Sequence, residues 1–123
     1  MTDNDHPYSE SVTAGGLVFL SGCLPKESAV PYADADELLD AAMATVESRL
    51  RAAGGTLADI VKLTYFVTDI ALREAANKQY VRLWDEPRPA RTLIGVSSLP
   101  RDSAVEIDAV ARESVTGEPS EDA

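Results

Sequence analysis

Hydrophobic positions recur along this chain at two periods, and the places where the period changes divide it into elements. Residues 8–14 (YSESVTA) are weakly strand-like. Gly15-Gly16 supplies a turn and LVFLS at 17–21 is a strong apolar strand, so the two runs predict a hairpin. Pro25 and Pro31 bracket a loop. Over 34–53 the spacing becomes helical: Leu39, Ala42 or Met43, Val46, Leu50 and Ala53 fall at three- and four-residue steps and form one stripe. Asp34 followed by Glu37 resembles a capping box, and Gly54-Gly55 stops the helix. DIVKLTYFVTD at 59–69 is rich in β-branched and aromatic residues and reads as a strand. Asp69 can cap a second helix over 70–84, with the stripe Leu72, Ala76, Tyr80 and Leu83, ended by Asp85-Glu86-Pro87. A strand over 90–97, a turn region at 97–102 and a last strand at 104–111 complete the order β-β-α-β-α-β-β. Two helices and four or five strands predict an α+β fold, with both helices on one face of the sheet.

Several of these strands are apolar on both sides. Leu17 and Phe19 share one face of the second strand, and Val18 and Leu20 share the other. The strands at 60–67 and 93–96 behave alike. Two helices cover one face only, and no second layer remains in the chain. The simplest expectation is a homo-oligomer that buries the other face.

The chain has 123 residues and 45% hydrophobic content, which fits one domain of ordinary size. Its formal net charge of −10 disfavours nucleic acid and anionic membrane as partners. It also makes each arginine worth weighing, because an anionic ligand would need a local cationic site. One cysteine (Cys23) and one histidine (His6) allow neither an intrachain disulfide nor a structural zinc site. No signal-like or membrane-length apolar run is present, so a cytoplasmic location is expected. The tail from Glu113, ESVTGEPSEDA, is acidic and punctuated by Pro and Gly, and is expected to be disordered.

Arg91 stands at the mouth of an apolar strand in RPARTLIGVSSLP (88–100). A buried lone charge is costly, so it must be paired. It either makes an intramolecular ion pair or grips a ligand carboxylate with its planar fork. Arg88 and Arg101 lie in turn regions and are expected to be solvated. In AVEIDAVA (104–111), Glu106 and Asp108 share the face opposite Val105, Ile107 and Ala109. Glu106 reads either as part of a solvent-facing strand edge or as a general base that orients water. Cys23 is a small buried hydrophobe or, with His6 as base, a nucleophile. Ser21-Gly22 is an ordinary turn or a place of close ligand approach. Tyr8 is a packing aromatic near the N-terminus, and His6 a surface residue. The Gly-Gly pairs match no phosphate-binding pattern.

PYSESV (7–12), LVFLSGCLP (17–25), DIVKLTYFVTDI (59–70), RPARTLIGVSSLP (88–100) and VEIDAVA (105–111) together resemble the Rid family of reactive-intermediate deaminases, also called YjgF-like proteins. The most specific parts are the strand-borne Pro-Ala-Arg followed by a Leu-Pro turn, and the Glu of the last strand. The resemblance implies one domain over 1–112 with a chorismate-mutase-like fold. It also implies a homotrimer with ligand clefts between subunits. By resemblance Arg91 grips the carboxylate of 2-iminopropanoate, 2-iminobutanoate or the related enamines, and Glu106 handles water. Tyr8, Ser21 and Gly22 match substrate-binding positions. No metal or cofactor is implied. Two departures stand out: Leu93 occupies a position where the best-known deaminase members often carry cysteine, and Cys23 follows the Ser-Gly where glutamine is usual. Leu93 would line the pocket and make it more apolar.

The leading expectation is hydrolytic deamination of such imines to 2-keto acids and ammonia. A non-catalytic protein that binds small carboxylates, a chaperone-like or translation-modulating protein, and a specialised catabolic deaminase are the alternatives. Arg91 serves both catalysis and binding, whereas Glu106 favours catalysis.

Overall fold

The structure, a computed structural model, describes residues 6–26 and 34–114. Its elements are β1 (Ser11–Ala14), β2 (Leu17–Leu20), α1 (Ala35–Ala52), β3 (Ile60–Val67), α2 (Arg73–Leu83), β4 (Ala90–Gly95) and β5 (Val105–Arg112). The loop expected around Pro31 and most of the acidic tail lie outside the described residues. Among the described residues no helix is long and apolar enough to cross a membrane.

Five strands form one mixed sheet in the order β1-β2-β5-β3-β4. Gly15 and Gly16 both have positive φ (62° and 81°), the backbone that a two-residue hairpin turn of right-handed twist requires, and β1 pairs with β2 across them. β3 and β4 run parallel, joined through α2, and all other pairs are antiparallel. The last strand in sequence therefore lies in the middle of the sheet, between β2 and β3.

Both helices cover one face. Asp34 caps α1 by accepting a hydrogen bond from the Glu37 N–H at 2.9 Å. Leu39, Ala42, Met43, Val46 and Leu50 face inward, the stripe expected from their spacing. They pack on Val18 and Leu20 of β2, Leu63, Tyr65 and Val67 of β3, and the odd-numbered residues 105–111 of β5. The second helix begins as a single 3₁₀ turn, with Asp69 Oδ1 accepting from the Ala71 N–H, and becomes α-helical at Arg73. Inside it Gln79 is buried and satisfied: Tyr65 Oη donates to its Oε1 at 2.9 Å, and its Nε2 donates to Asp40 Oδ1 at 2.8 Å.

The other face has no covering layer among the described residues. Val12 (54% exposed), Phe19 (43%) and Ile94 (41%) stand on it with half-buried Phe66. Lys62, Thr64, Thr92 and Asp108 form a polar patch there: Lys62 Nζ donates to Thr92 Oγ1 at 2.6 Å, and Asp108 hydrogen-bonds Thr64.

Candidate functional site

Arg91 pairs in register with Leu63, which puts it on the helix-covered face of edge strand β4. Its guanidinium lies over two phenol rings, 5.0 Å from the Tyr80 centroid and 5.6 Å from that of Tyr65. Cation–π attraction holds it there. Tyr80 is fixed in turn, its hydroxyl donating to Pro89 O at 2.6 Å. Burial pushes the Tyr65 phenol far above its ordinary value, and the nearby Arg91 charge opposes the shift only in part. Among the described residues the Arg91 guanidinium has no ion pair and no hydrogen bond, and its Nη1 is buried. Leu93, two residues along, pairs in register with Tyr65 and packs half-buried against the core.

The two neighbouring arginines differ. Arg88, expected to be solvated, is half-buried: its Nε donates to Trp84 O at 2.9 Å, because the chain folds back onto the end of α2. Arg101 is exposed and reaches the carbonyls of Pro25 and Lys26 at 3.5 and 3.4 Å.

Glu106 occupies the opposite face. It pairs with Phe66 and shares that face with Asp108. β5 is central, so Glu106 is no strand-edge residue; it is half-buried. Gly22 abuts it so closely that a Cβ there would overlap the Glu106 carboxylate. Burial raises the Glu106 carboxyl above the ordinary glutamate value, Asp108 adds to this, and the Arg49 charge opposes it. Asp108 is likewise raised by burial, against its Thr64 hydrogen bond and Lys62.

The N-terminal segment is tied to the same place. Ser21 Oγ donates to Ser9 O at 2.6 Å, and the Ser21 N–H donates to Glu10 O at 3.0 Å. Tyr8, beside Ser9, is exposed and stacks on His6 with ring centroids 4.0 Å apart. Ser21, Gly22 and Glu106 are therefore adjacent, and the segment that carries Tyr8 is tied to them through Ser9 and Glu10. Cys23 points into the core and is fully buried. Burial pushes its thiol up to about 11, so it stays protonated at neutral pH. His6 is turned to Tyr8 and Glu10, with Nδ1–H donating to Tyr8 O at 2.8 Å and Nε2 3.5 Å from the Glu10 carboxylate.

One chain does not bring Arg91 and Glu106 together. They lie on opposite faces, two strands apart (~10 Å) and three register positions along (~10 Å). Within the chain each stands without the other: a cation without an anion, and a carboxylate beside the Gly22 backbone.

Arg49 of α1 was not among the residues singled out by sequence. Its Nη1 donates to Ser21 O at 3.2 Å and Gly22 O at 3.1 Å. The available signal was a charged residue beside the apolar stripe, between buried Val46 and Leu50. Among the described residues no cluster of His, Cys, Asp or Glu could hold a metal ion.

A family model described as Endoribonuclease L-PSP matches residues 2–113. A "RutC family protein" of Haemophilus influenzae is 38% identical over 111 residues, 85% of each chain. "Putative reactive intermediate deaminase TdcF" of Escherichia coli K12 is 33% identical over 111 residues, again 85% of each. The solved structure of E. coli TdcF with bound serine superposes with a TM-score of 0.78 at 32% identity, covering 89% of this chain and 90% of that one. The α+β sheet with its two helices is thus shared with these proteins.

Proposed function

Because the chain belongs to the Rid (YjgF-like) family, we propose that it is a cofactor-independent deaminase that hydrolyses small 2-imino carboxylates and their enamine tautomers to 2-keto acids and ammonia. One observation carries this reading: a half-buried guanidinium with a buried, unsatisfied Nη1. Such a group is costly unless an anion meets it. A substrate carboxylate supplies that anion, and the planar fork accepts it bidentately.

The site would be completed between copies. In a homotrimer packed through the uncovered sheet faces, Arg91 of one protomer meets Tyr8, Ser21, Gly22 and Glu106 of its neighbour. Arg91 and Glu106 on opposite faces of one sheet, and an uncovered face that exposes Val12, Phe19 and Ile94, both support that arrangement. Leu93 lies beside the Arg91 half and favours short alkyl side chains on the substrate.

The chemistry asks for little. The imine carbon is already electrophilic, so the protein has to orient it and supply water. Glu106 accepts a proton as the water oxygen bonds to that carbon and the C=N electron pair moves to nitrogen, which takes up a proton from solvent. The carbinolamine then breaks its C–N bond: Glu106 returns its proton to the leaving nitrogen, the hydroxyl gives its proton to solvent as the C=O bond forms, and keto acid and ammonia remain. A carboxyl raised by burial suits this exchange better than an ordinary one. The net charge of −10 argues against the polyanionic substrate in the family model's description.

The test is a coupled assay in which 2-aminoacrylate is generated in situ and pyruvate release is followed. Acceleration over the uncatalysed hydrolysis is expected. Saturable pyruvate binding with no acceleration would favour the non-catalytic carboxylate-binding reading instead.

A further inference from the structure

We propose that Arg49 is a positioning residue for the Glu106 half-site, clipping the Ser21-Gly22 backbone to the last turn of α1 so that Gly22 stays against the Glu106 carboxylate; this rests on the deaminase reading above.

The backbone explains why a clip is needed. Phe19 pairs with Val110 and Cys23 with Ile107, so residues 20–22 stand opposite only residues 108–109. The extra residue makes a bulge, a device that re-aims side chains but leaves ladder groups unpaired. Arg49 Nη1 donates to both carbonyls there, Ser21 O and Gly22 O, and sits 3.9 Å from Cys23 Sγ. These bonds are charge-assisted and partly buried, hence stronger than a neutral pair. The clipped glycine is the one whose missing Cβ makes room for Glu106. A shift of the Ser21-Gly22 segment would therefore displace the carboxylate or the substrate beside it.

Charge acts in the same direction. Asp108 lies on the same strand and face and disfavours Glu106 ionisation; Arg49 reaches in from α1 and favours it. On β3 the residue opposite Glu106 is uncharged Phe66, with Lys62 farther along that face beside Asp108; the Ser21-Gly22 segment presents a side-chain-free glycine, and the protonated Cys23 thiol is turned into the core. Arg49 is thus the cation that offsets part of the rise that burial and Asp108 impose on Glu106.

The experiment compares wild type with Arg49→Met and Arg49→Lys. The Glu106 side-chain carboxyl is titrated by carbon-13 NMR, and kcat/KM for 2-iminopropanoate is measured against pH. Arg49→Met is expected to move the Glu106 titration and the acid limb of the rate profile together to higher pH. Its kcat/KM at neutral pH should fall by about 10- to 100-fold, carried by kcat. Arg49→Lys, whose ammonium can still donate to both carbonyls, should recover titration and rate. If Arg49→Met does not fold, Arg49→Gln, a donor without charge, reads the same titration. An unmoved Glu106 titration in the uncharged variant overturns the inference, whatever happens to the melting temperature. If wild type releases pyruvate no faster than the uncatalysed reaction, the deaminase reading fails, and the Glu106 titration still decides the role of Arg49.

Discussion

A guanidinium laid over two phenol rings is held by its faces, which leaves its N–H edge to meet an anion. Arg91 is held in this way. A lysine could keep the charge but not the fork, so Arg91→Lys should bind pyruvate nearly as poorly as Arg91→Ala. Calorimetry should show a loss of roughly 2–5 kcal/mol in either variant, with the fold intact. Wild-type affinity in Arg91→Lys would refute bidentate recognition, and unfolding of Arg91→Ala would make the arginine a structural residue. For Glu106→Gln the expected loss is ~10²–10⁴-fold in kcat with KM little changed, read from steady-state kinetics. Cys23→Ser should keep most activity, since a thiol raised to about 11 supplies no nucleophile at neutral pH. Arg91 stood out in sequence as a charge on an apolar strand; Glu106 fits the alternation of AVEIDAVA and was singled out by the family resemblance. Arg49 was not, because a basic residue near a helix C-terminus looks like ordinary dipole compensation. Only the tertiary fold shows that it turns inward to the bulge.

Strand and helix positions were readable from period and punctuation, from the Gly15-Gly16 hairpin to the Asp34 cap. Replacing Asp34 with alanine should cost about 1 kcal/mol in denaturant unfolding, since α1 loses its first-turn acceptor. What the period could not reveal was strand order. An alternating strand such as AVEIDAVA reads the same at an edge or in the centre, and only pairing with both β2 and β3 makes β5 central. That position matters for pH. Glu106 and Asp108 are both raised by partial burial on this strand. A carboxyl whose folded pKa exceeds its unfolded one binds protons more tightly when folded. Its stabilising contribution is complete below the unfolded pKa and is lost as pH rises through the folded one. The contribution of these two carboxyls should therefore fall as pH rises above the ordinary carboxylate range, and Glu106→Gln should remove its share of that fall. Denaturant midpoints measured from that range upward check it; parallel wild-type and variant curves would contradict it.

At the scale of the molecule, the decisive feature is a sheet with one covered face. Val12 and Phe19 on β1 and β2, and Ile94 on β4, remain exposed at the two sides of that face in a single chain, and the proposed trimer would cover them. Light scattering at micromolar concentration is expected to give a trimer, and Phe19→Arg with Ile94→Arg should shift the mass to that of one chain. A monomeric wild type would leave each half-site without its counterpart. Because Arg91 and Glu106 lie on opposite faces of one chain, the proposed cleft between protomers should allow complementation. A chain with Arg91→Ala still carries a sound Glu106 half, and a chain with Glu106→Gln still carries a sound Arg91 half. Neither is expected to turn over substrate alone. Unfolded together in equal amounts and reassembled, they would shuffle at random, and about one cleft in four would join two intact halves. Two dead proteins, mixed, should regain about a quarter of the wild-type rate.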